Sequence, residues 1–260
     1  MTTSVSLYVA GDTGFHRLHP ITKLTITLTL LLGGLVIPSA WASYALFVGF
    51  ILPLSIWGGI WKQLIRAVWK IVLPFGISIF LIQGLFWGEG TTLFSIGPFT
   101  VEKEAIIFAF GSVGRIMLVI GSFLLLALAT RPDSLMNALT NLGLPGAITY
   151  IVVTTIQIAP RFQSKARTII DAQQSRGLIT EGNLIIRGKA LVPLILPLVL
   201  GSIVDVEERA IAIEARAFNS PGPKTSLVTI NDTRLQKLFR WTLFLLMLLL
   251  IGFRIWWSLT

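Results

Sequence analysis

Between Lys23 and Lys62 the chain carries no Asp, Glu, Lys or Arg. A bilayer core about 30 Å thick is crossed by roughly 20 mostly apolar residues of helix, so this one run holds two such lengths. Residues 24–38 and 40–58 read as the two arms of a tight helical hairpin, turning at Pro38 and Ser39. The whole chain has the same bias. It is 54% hydrophobic and 13% charged, against about 25% charged in soluble domains, which places it in a membrane.

Further spans follow. In GIWKQLIRAVWK, Lys62, Arg66 and Lys70 recur every four residues, with Trp61, Leu64, Ile65, Val68 and Trp69 on the other face. That spacing predicts an interfacial amphipathic helix over 59–70. Residues 71–88 and 105–130 read as the third and fourth spans, joined by a short, Gly-rich, mostly acidic loop with Glu89, Glu102, Lys103 and Glu104. A last apolar run, WTLFLLMLLLIGF, lies within 240–260.

Charge sets the expected orientation. Of 21 Lys and Arg, Lys103 alone falls on one side, Arg115 and Arg254 lie in or at the end of spans, and all others fall on the opposite side. Positive residues collect in cytoplasmic loops, so the N-terminus and the region 131–239 are expected in the cytoplasm. Basic residues set between apolar blocks follow topology and not a nucleic-acid surface. Two apolar stretches in that region, 145–160 and 190–206, are short, contain or abut prolines and are basic at both flanks. They are expected as helices of a cytoplasmic-side or partly embedded domain packed on each other; crossing as a pair would put 161–189 outside.

Several chemistries are excluded. Without cysteine there is no disulfide, thiolate metal site or cysteine nucleophile. No phosphate-loop pattern occurs, since GDTG at 11–14 and GSVG at 111–114 lack the Lys and Ser/Thr it needs. No Ser-His-Asp set or intramembrane acidic pair is found, and Glu207 and Glu208, being adjacent, point to different helix faces. His16 and His19 with Asp12 lack further His or Cys to complete a transition-metal shell. They suit a helix entry, with Asp12 capping a short helix before Pro20. The first twenty residues have no Lys or Arg before Arg17 and are taken as mature protein, not a cleavable signal.

The sharpest motif is repeated. Residues 171–178 read DAQQSRGL and 211–218 read IAIEARAF. Aligned on Arg176 and Arg216, they share Ala172 with Ala212, Gln174 with Glu214, Ser175 with Ala215, Gly177 with Ala217 and Leu178 with Phe218. Opposite charges four apart, Arg167 with Asp171 and Asp205 with Arg209, support exposed helix before each motif. One copy is explained as a C-terminal cap with an arginine favouring the helix dipole. Two copies suggest more: small residues flanking a guanidinium fork let a helix end enter a groove and bind oxygens at its floor.

These residues resemble the transmembrane T component of energy-coupling factor (ECF) transporters. The opening GDTGFHRLHPITKL is similar to that family's Gly-Asp-Ser-x-x-His-Arg-Leu-Asp-Pro-Arg-Thr-Lys-Leu, and SRG at 175–177 and ARA at 215–217 fall where the family has its two Ala-Arg-Gly-type signatures. Departures are Ser175, Ala217, His19 and Ile21. The likeness runs along essentially the whole chain.

The resemblance implies an all-α membrane protein of about five transmembrane helices plus a cytoplasmic-side helical coupling domain with two Arg-tipped coupling helices. Its domains would be a cytoplasmic N-terminal segment 1–23, a four-span membrane domain 24–130 with the interfacial helix, a coupling domain 131–239 and a last transmembrane helix 240–260. It implies an energy-coupling subunit of a vitamin importer in a plasma membrane. Its partners would be two ABC-type ATPases, which bind the ATP and magnesium, and a small membrane S component that captures substrate. The chain itself would hold no cofactor or metal and catalyse nothing. Arg176 and Arg216 would be the coupling residues, with Ser175, Gly177, Ala215 and Ala217 as small flanks.

Arg115 near mid-bilayer is expected to face protein or a partner or to snorkel to the interface, and Gly111 and Gly114 beside it would let another helix approach, either within the chain or from the S component. Arg254 near Trp256 and Trp257 reads as an interfacial anchor, and 219–236 as a Pro/Gly linker. The competing readings are an intramembrane enzyme acting on lipid head groups, an autonomous secondary carrier and, within the family, cobalt or nickel uptake.

Overall fold

The computed structural model describes residues 8–37, 39–86, 91–96, 99–178, 183–218, 220 and 232–259. Pro38 of the expected turn and most of the expected linker, 219 and 221–231, lie outside the described residues. The described residues form two compact units, one within Tyr150–Thr229 and the other combining Ser6–Thr149 with Ile230–Thr260.

The second unit opens with helix α1, Pro20–Val36. Pro20 sits at its first turn, where a missing N–H costs nothing, and His19 Nδ1 accepts from the Ile21 amide at 3.3 Å. Thr25, Thr27 and Thr29 each donate a hydroxyl to the carbonyl four residues earlier. A Thr-rich helix thereby keeps its polar groups paired in apolar surroundings. The other hairpin arm comprises α2, Ala40–Leu46, a π-helical turn over Phe47–Ile51, and α3, Leu52–Trp57.

Helix α4, Trp61–Phe86, corrects the sequence reading. The interfacial helix expected over 59–70 and the span expected from 71 are one helix running through Pro74. Proline removes one helical hydrogen bond and can be accommodated with a kink, and no Gly or cap separates Lys70 from Ile71. A second correction concerns the following loop, where β1, Thr92–Ile96, pairs antiparallel with β2, Phe99–Glu102. Thr, Phe, Ile and Val favour strands, and Phe99–Glu102 alternates apolar with polar; the Thr91 amide and hydroxyl donate to the Glu104 carboxylate.

Helix α5, Lys103–Ala129, is more enclosed than the other apolar helices long enough to cross a bilayer. It packs on α1, α2 and α4, and its Leu118 and Leu125 join Phe15, Leu30, Ile51 and Leu64 in one buried core. Gly111 and Gly114 admit α2: a Cβ at Gly111 would meet Ala40 at 3.1 Å, and one at Gly114 would meet the Tyr44 ring at 2.5 Å. Tyr44 also donates its hydroxyl to the Phe110 carbonyl at 2.9 Å. The close approach foreseen at these glycines is made by the chain's own helix.

After α6, Pro132–Thr140, come α7, Gly146–Ser175, and α8, Leu184–Ala215, while α9, Arg234–Leu259, packs against α1. This is an all-α membrane protein with a small hairpin in one connection. Among the described residues, 5 helices could by length and composition cross a bilayer: Ala40–Trp57, Trp61–Gln83, Lys103–Ala129, Ala190–Ala215 and Arg234–Trp256. The number matches expectation but the membership differs. Helix α1 has 17 residues, at the short limit for a span, whereas the apolar stretch from Ala190 belongs to a helix that continues past 206 to Ala215 through Asp205, Glu207, Glu208, Arg209 and Glu214.

Candidate functional site

Both arginine motifs sit at helix ends, and both ends close in the same way. At the end of α7, Gly177 adopts a left-handed φ of 90°. Its amide donates to the Gln174 carbonyl at 2.9 Å, and that of Leu178 donates to the Gln173 carbonyl at 3.0 Å. This left-handed cap uses carbonyls that a helix end otherwise leaves open. At the end of α8, Ala217 donates to Glu214 at 2.9 Å and Phe218 to Ile213 at 3.2 Å. Ala217 adopts φ 55° and is the one non-glycine at positive φ among the described residues. An L side chain there costs on the order of 1 kcal/mol relative to glycine.

Arg176 and Arg216 thus occupy equivalent positions, one residue before each left-handed turn. Both are exposed, as are Ser175, Gly177, Ala215 and Ala217. Neither guanidinium forms an ion pair among the described residues. The Ser175 hydroxyl donates to the Asp171 carbonyl at 3.0 Å, so its polar group is taken up by its own helix.

Two contacts define how α7 and α8 run. The Tyr150 ring lies 5.1 Å from that of Phe218, and Lys165 Nζ donates to the Gly201 carbonyl at 2.7 Å and the Asp205 carboxylate at 2.6 Å. One strand of contacts ascends α7 while the other descends α8, so the pair is antiparallel. Arg216 therefore lies at the Tyr150 end and Arg176 at the other, separated by about 40 Å of helix at 1.5 Å per residue. The ion pairs expected within each helix are not formed. Asp205 is held by Lys165 across the pair in place of Arg209, because the Lys165 ammonium also satisfies the Gly201 carbonyl. Arg167 and Asp171 form no ion pair.

The opening segment carries a cluster that sequence reading missed. Buried Lys23 donates to the His16 carbonyl at 3.0 Å and to that of Ala129, the last residue of α5, at 2.8 Å. A cation at a helix C-terminus is favourably placed, and its Nζ also lies 5.7 Å from the centre of the Phe15 ring. The His19 amide donates to Gln236 Oε1 at 2.9 Å, Arg240 approaches His19 Nδ1 at 3.3 Å, and Arg240 pairs with Asp232 at 2.6 Å. This ties the opening to α9. Asp12 makes a two-pronged pair with Arg17, both bonds 2.9 Å, in place of the expected helix cap. The segment it was to cap is a turn. Burial lowers the pKa of both His16 and His19. Among the described residues no group of three His, Asp or Glu could hold a metal. Arg115 has a buried Nε with no hydrogen-bond partner, and Arg254 is exposed.

Known proteins are similar to this chain in sequence along most of its length. The family described as Cobalt transport protein (CbiQ) matches residues 12–227, a span that includes the opening and both arginine ends. The chain belongs to this family of ECF transporter T components. The Energy-coupling factor transporter transmembrane protein EcfT of Lacticaseibacillus paracasei is 31% identical over 234 residues, covering 84% of this chain and 86% of the relative. The protein of the same name from Leuconostoc gelidum subsp. gasicomitatum is 29% identical over 245 residues, 90% of each chain, and that of Thermosediminibacter oceani is 28% identical over 240 residues, 88% and 89%. This T component is therefore a multi-pass membrane subunit of a transporter and not an enzyme.

Proposed function

We propose that this T component carries ATP-driven motion from two ABC-type ATPase subunits to a small membrane S component that captures a vitamin or related micronutrient. ATP and magnesium are bound by the ATPases. Arg176 and Arg216 are the coupling residues, each seated in a groove of one ATPase and admitted by the small flanks Ser175, Gly177, Ala215 and Ala217. The observation that carries this reading is the repeated cap: two exposed arginines in the same local geometry, at opposite ends of an antiparallel helix pair. Two equivalent plugs about 40 Å apart suit two copies of one kind of socket, which a single capping role does not require.

The N-terminal segment 1–23 and the coupling domain 131–239 face the cytoplasm, with the membrane domain at 24–130 and a last span at 240–260. The asymmetry of Lys and Arg supports that orientation. A second reading within the family is cobalt uptake, favoured by the description of the matching family. The relatives are named as energy-coupling factor transporter proteins, with no substrate in the name.

Purification of the tagged protein in mild detergent, with mass spectrometry of what accompanies it, tests the proposal. Two ATP-binding cassette proteins and a small membrane protein are expected with the parent, and the ATPases are lost from Arg176→Ala/Arg216→Ala. ATPases retained at parental levels by that variant would refute the assignment of the arginines. The S component recovered identifies the substrate class.

A further inference from the structure

On the membrane unit, α2, the π-turn, α3, α4 and α5 enclose an open groove of about 730 Å³. Along α4 it is lined from Ile65 and Trp69 through Leu73 and Ile77 to Leu81. These residues cover about 24 Å at 1.5 Å per residue, more than the roughly 15 Å of hydrocarbon in one leaflet. The walls are almost wholly apolar: the one hydroxyl, that of Tyr44, is spent on the Phe110 carbonyl. Among the lining side chains only the Trp69 indole N–H, beside Lys70, is left to hydrogen-bond an occupant, so along the rest of the groove the occupant is hydrocarbon.

One end is different. Lys62, Arg66 and Lys70 are all exposed and occupy the first turns of the same helix. At 100° per residue their stripe lies within about 20° of Leu73 and Ile77, so the cations sit on the helix face that continues into the groove. Exposed Trp61 and Trp69 accompany them, as expected where a membrane meets water. Lys62 Nζ lies 5.7 Å from the centre of the Trp61 ring.

We propose that this groove is a binding site for one anionic phospholipid, with its phosphate on Lys62, Arg66 and Lys70 and an acyl chain along Ile65, Leu73, Ile77 and Leu81. The shape favours a flexible chain over a partner's helix. Helix interfaces in membranes are rich in small residues that let backbones meet, and this groove is lined by large side chains, with Gly76 the one small residue on its α4 wall. A Cβ at Gly76 would come no closer than 3.7 Å to Val113, leaving room for a larger side chain. The inference does not depend on the coupling role of the arginines.

Native mass spectrometry of the full chain in mild detergent, titrated with phosphatidylglycerol or phosphatidylcholine of matched chains, tests the site. The parent retains one phosphatidylglycerol about 10-fold or more tightly than phosphatidylcholine. Lys62→Gln/Arg66→Gln/Lys70→Gln weakens phosphatidylglycerol about 100-fold, from about 5-fold per basic group near a membrane surface, with little change for phosphatidylcholine. Gly76→Leu displaces the chain and weakens both lipids. The charge variant alters only exposed side chains, so it decides the matter even if Gly76→Leu does not fold. Equal retention of the two lipids, or parental phosphatidylglycerol affinity in the charge variant, overturns the site. So does a photoreactive side chain at position 73 that crosslinks in native membranes to a polypeptide instead of a lipid.

Discussion

In the unit formed by Ser6–Thr149 and Ile230–Thr260 a buried core runs from Phe15 through Leu30, Ile51 and Leu64 to Leu118 and Leu125. Among the described residues of Tyr150–Thr229, only Ala190 is buried. The unit that holds α1 is closed on itself by packing and by Lys23. The other is a helix pair held by Lys165 and the Tyr150–Phe218 contact, with cavities of about 590 and 160 Å³ along it. Such a pair is stable as helices yet leaves its faces to be covered by lipid or partners. The transmission role proposed for it calls for that freedom, since motions are drawn from the less stable parts of a molecule.

Changes of decreasing size test the contrast. Lys23→Ala strips a buried cation from two carbonyls and opens a cavity, so the membrane unit is expected to lose about 3 kcal/mol, read as a fall in thermal midpoint in detergent. Lys23→Met, which keeps the volume, loses less; a parental midpoint in both would show that the clamp contributes nothing. Next come the two caps, which respond with opposite signs. Gly177→Ala costs about 1 kcal/mol, and Ala217→Gly gains about as much by relieving a left-handed alanine. Limited proteolysis near each end reads this, and equal responses would break the equivalence of the two turns. Lys165→Ala removes a half-exposed ion pair and is expected to cost at most about 1 kcal/mol, loosening the helix pair without moving the midpoint of the membrane unit.

Acidification gives the smallest effect. Burial, with Arg240 and Lys237 adding to it and Asp232 opposing, lowers the His19 pKa in the folded protein. The unfolded chain takes up this proton near pH 6.5; the folded chain does so only at lower pH. Stability is therefore full above about 6.5 and declines as pH falls through that value towards the folded pKa. His19→Asn keeps a capping acceptor and does not titrate, so its acid limb is expected to be shallower. His16, lowered by burial and Lys23, adds in the same direction. An unchanged acid limb in His19→Asn would assign the dependence to other groups.

Much of this architecture was legible because its signals are local. Long apolar runs, the acidic loop and the two tripeptides each declare themselves within a few residues. The glycine at 177 announces a cap, and the alignment on arginine carries that cap to Ala217, whose own preference argues against it. What was not legible depends on distant partners. Lys23 looks like an ordinary flanking cation until α5 brings the Ala129 carbonyl to it. Asp205 has a suitable partner at Arg209, and only the antiparallel pairing shows that Lys165 takes it instead. The break assumed at 70–71 followed from a change in composition, but the stripe of Lys62, Arg66 and Lys70 and the apolar Leu73 and Ile77 lie on one helix face. The hairpin over 92–102 lay in a stretch too short and Gly-rich to separate from a loop.

The most direct measurement is ATP-driven uptake by vesicles reconstituted with the ATPases, the S component and either the parent or Arg176→Ala/Arg216→Ala. The variant is expected to insert normally and keep its thermal midpoint while uptake falls about 100-fold or more, the loss expected for about 3 kcal/mol of coupling. Uptake at the parental rate, with the variant inserted and ATP hydrolysed as before, would contradict the account.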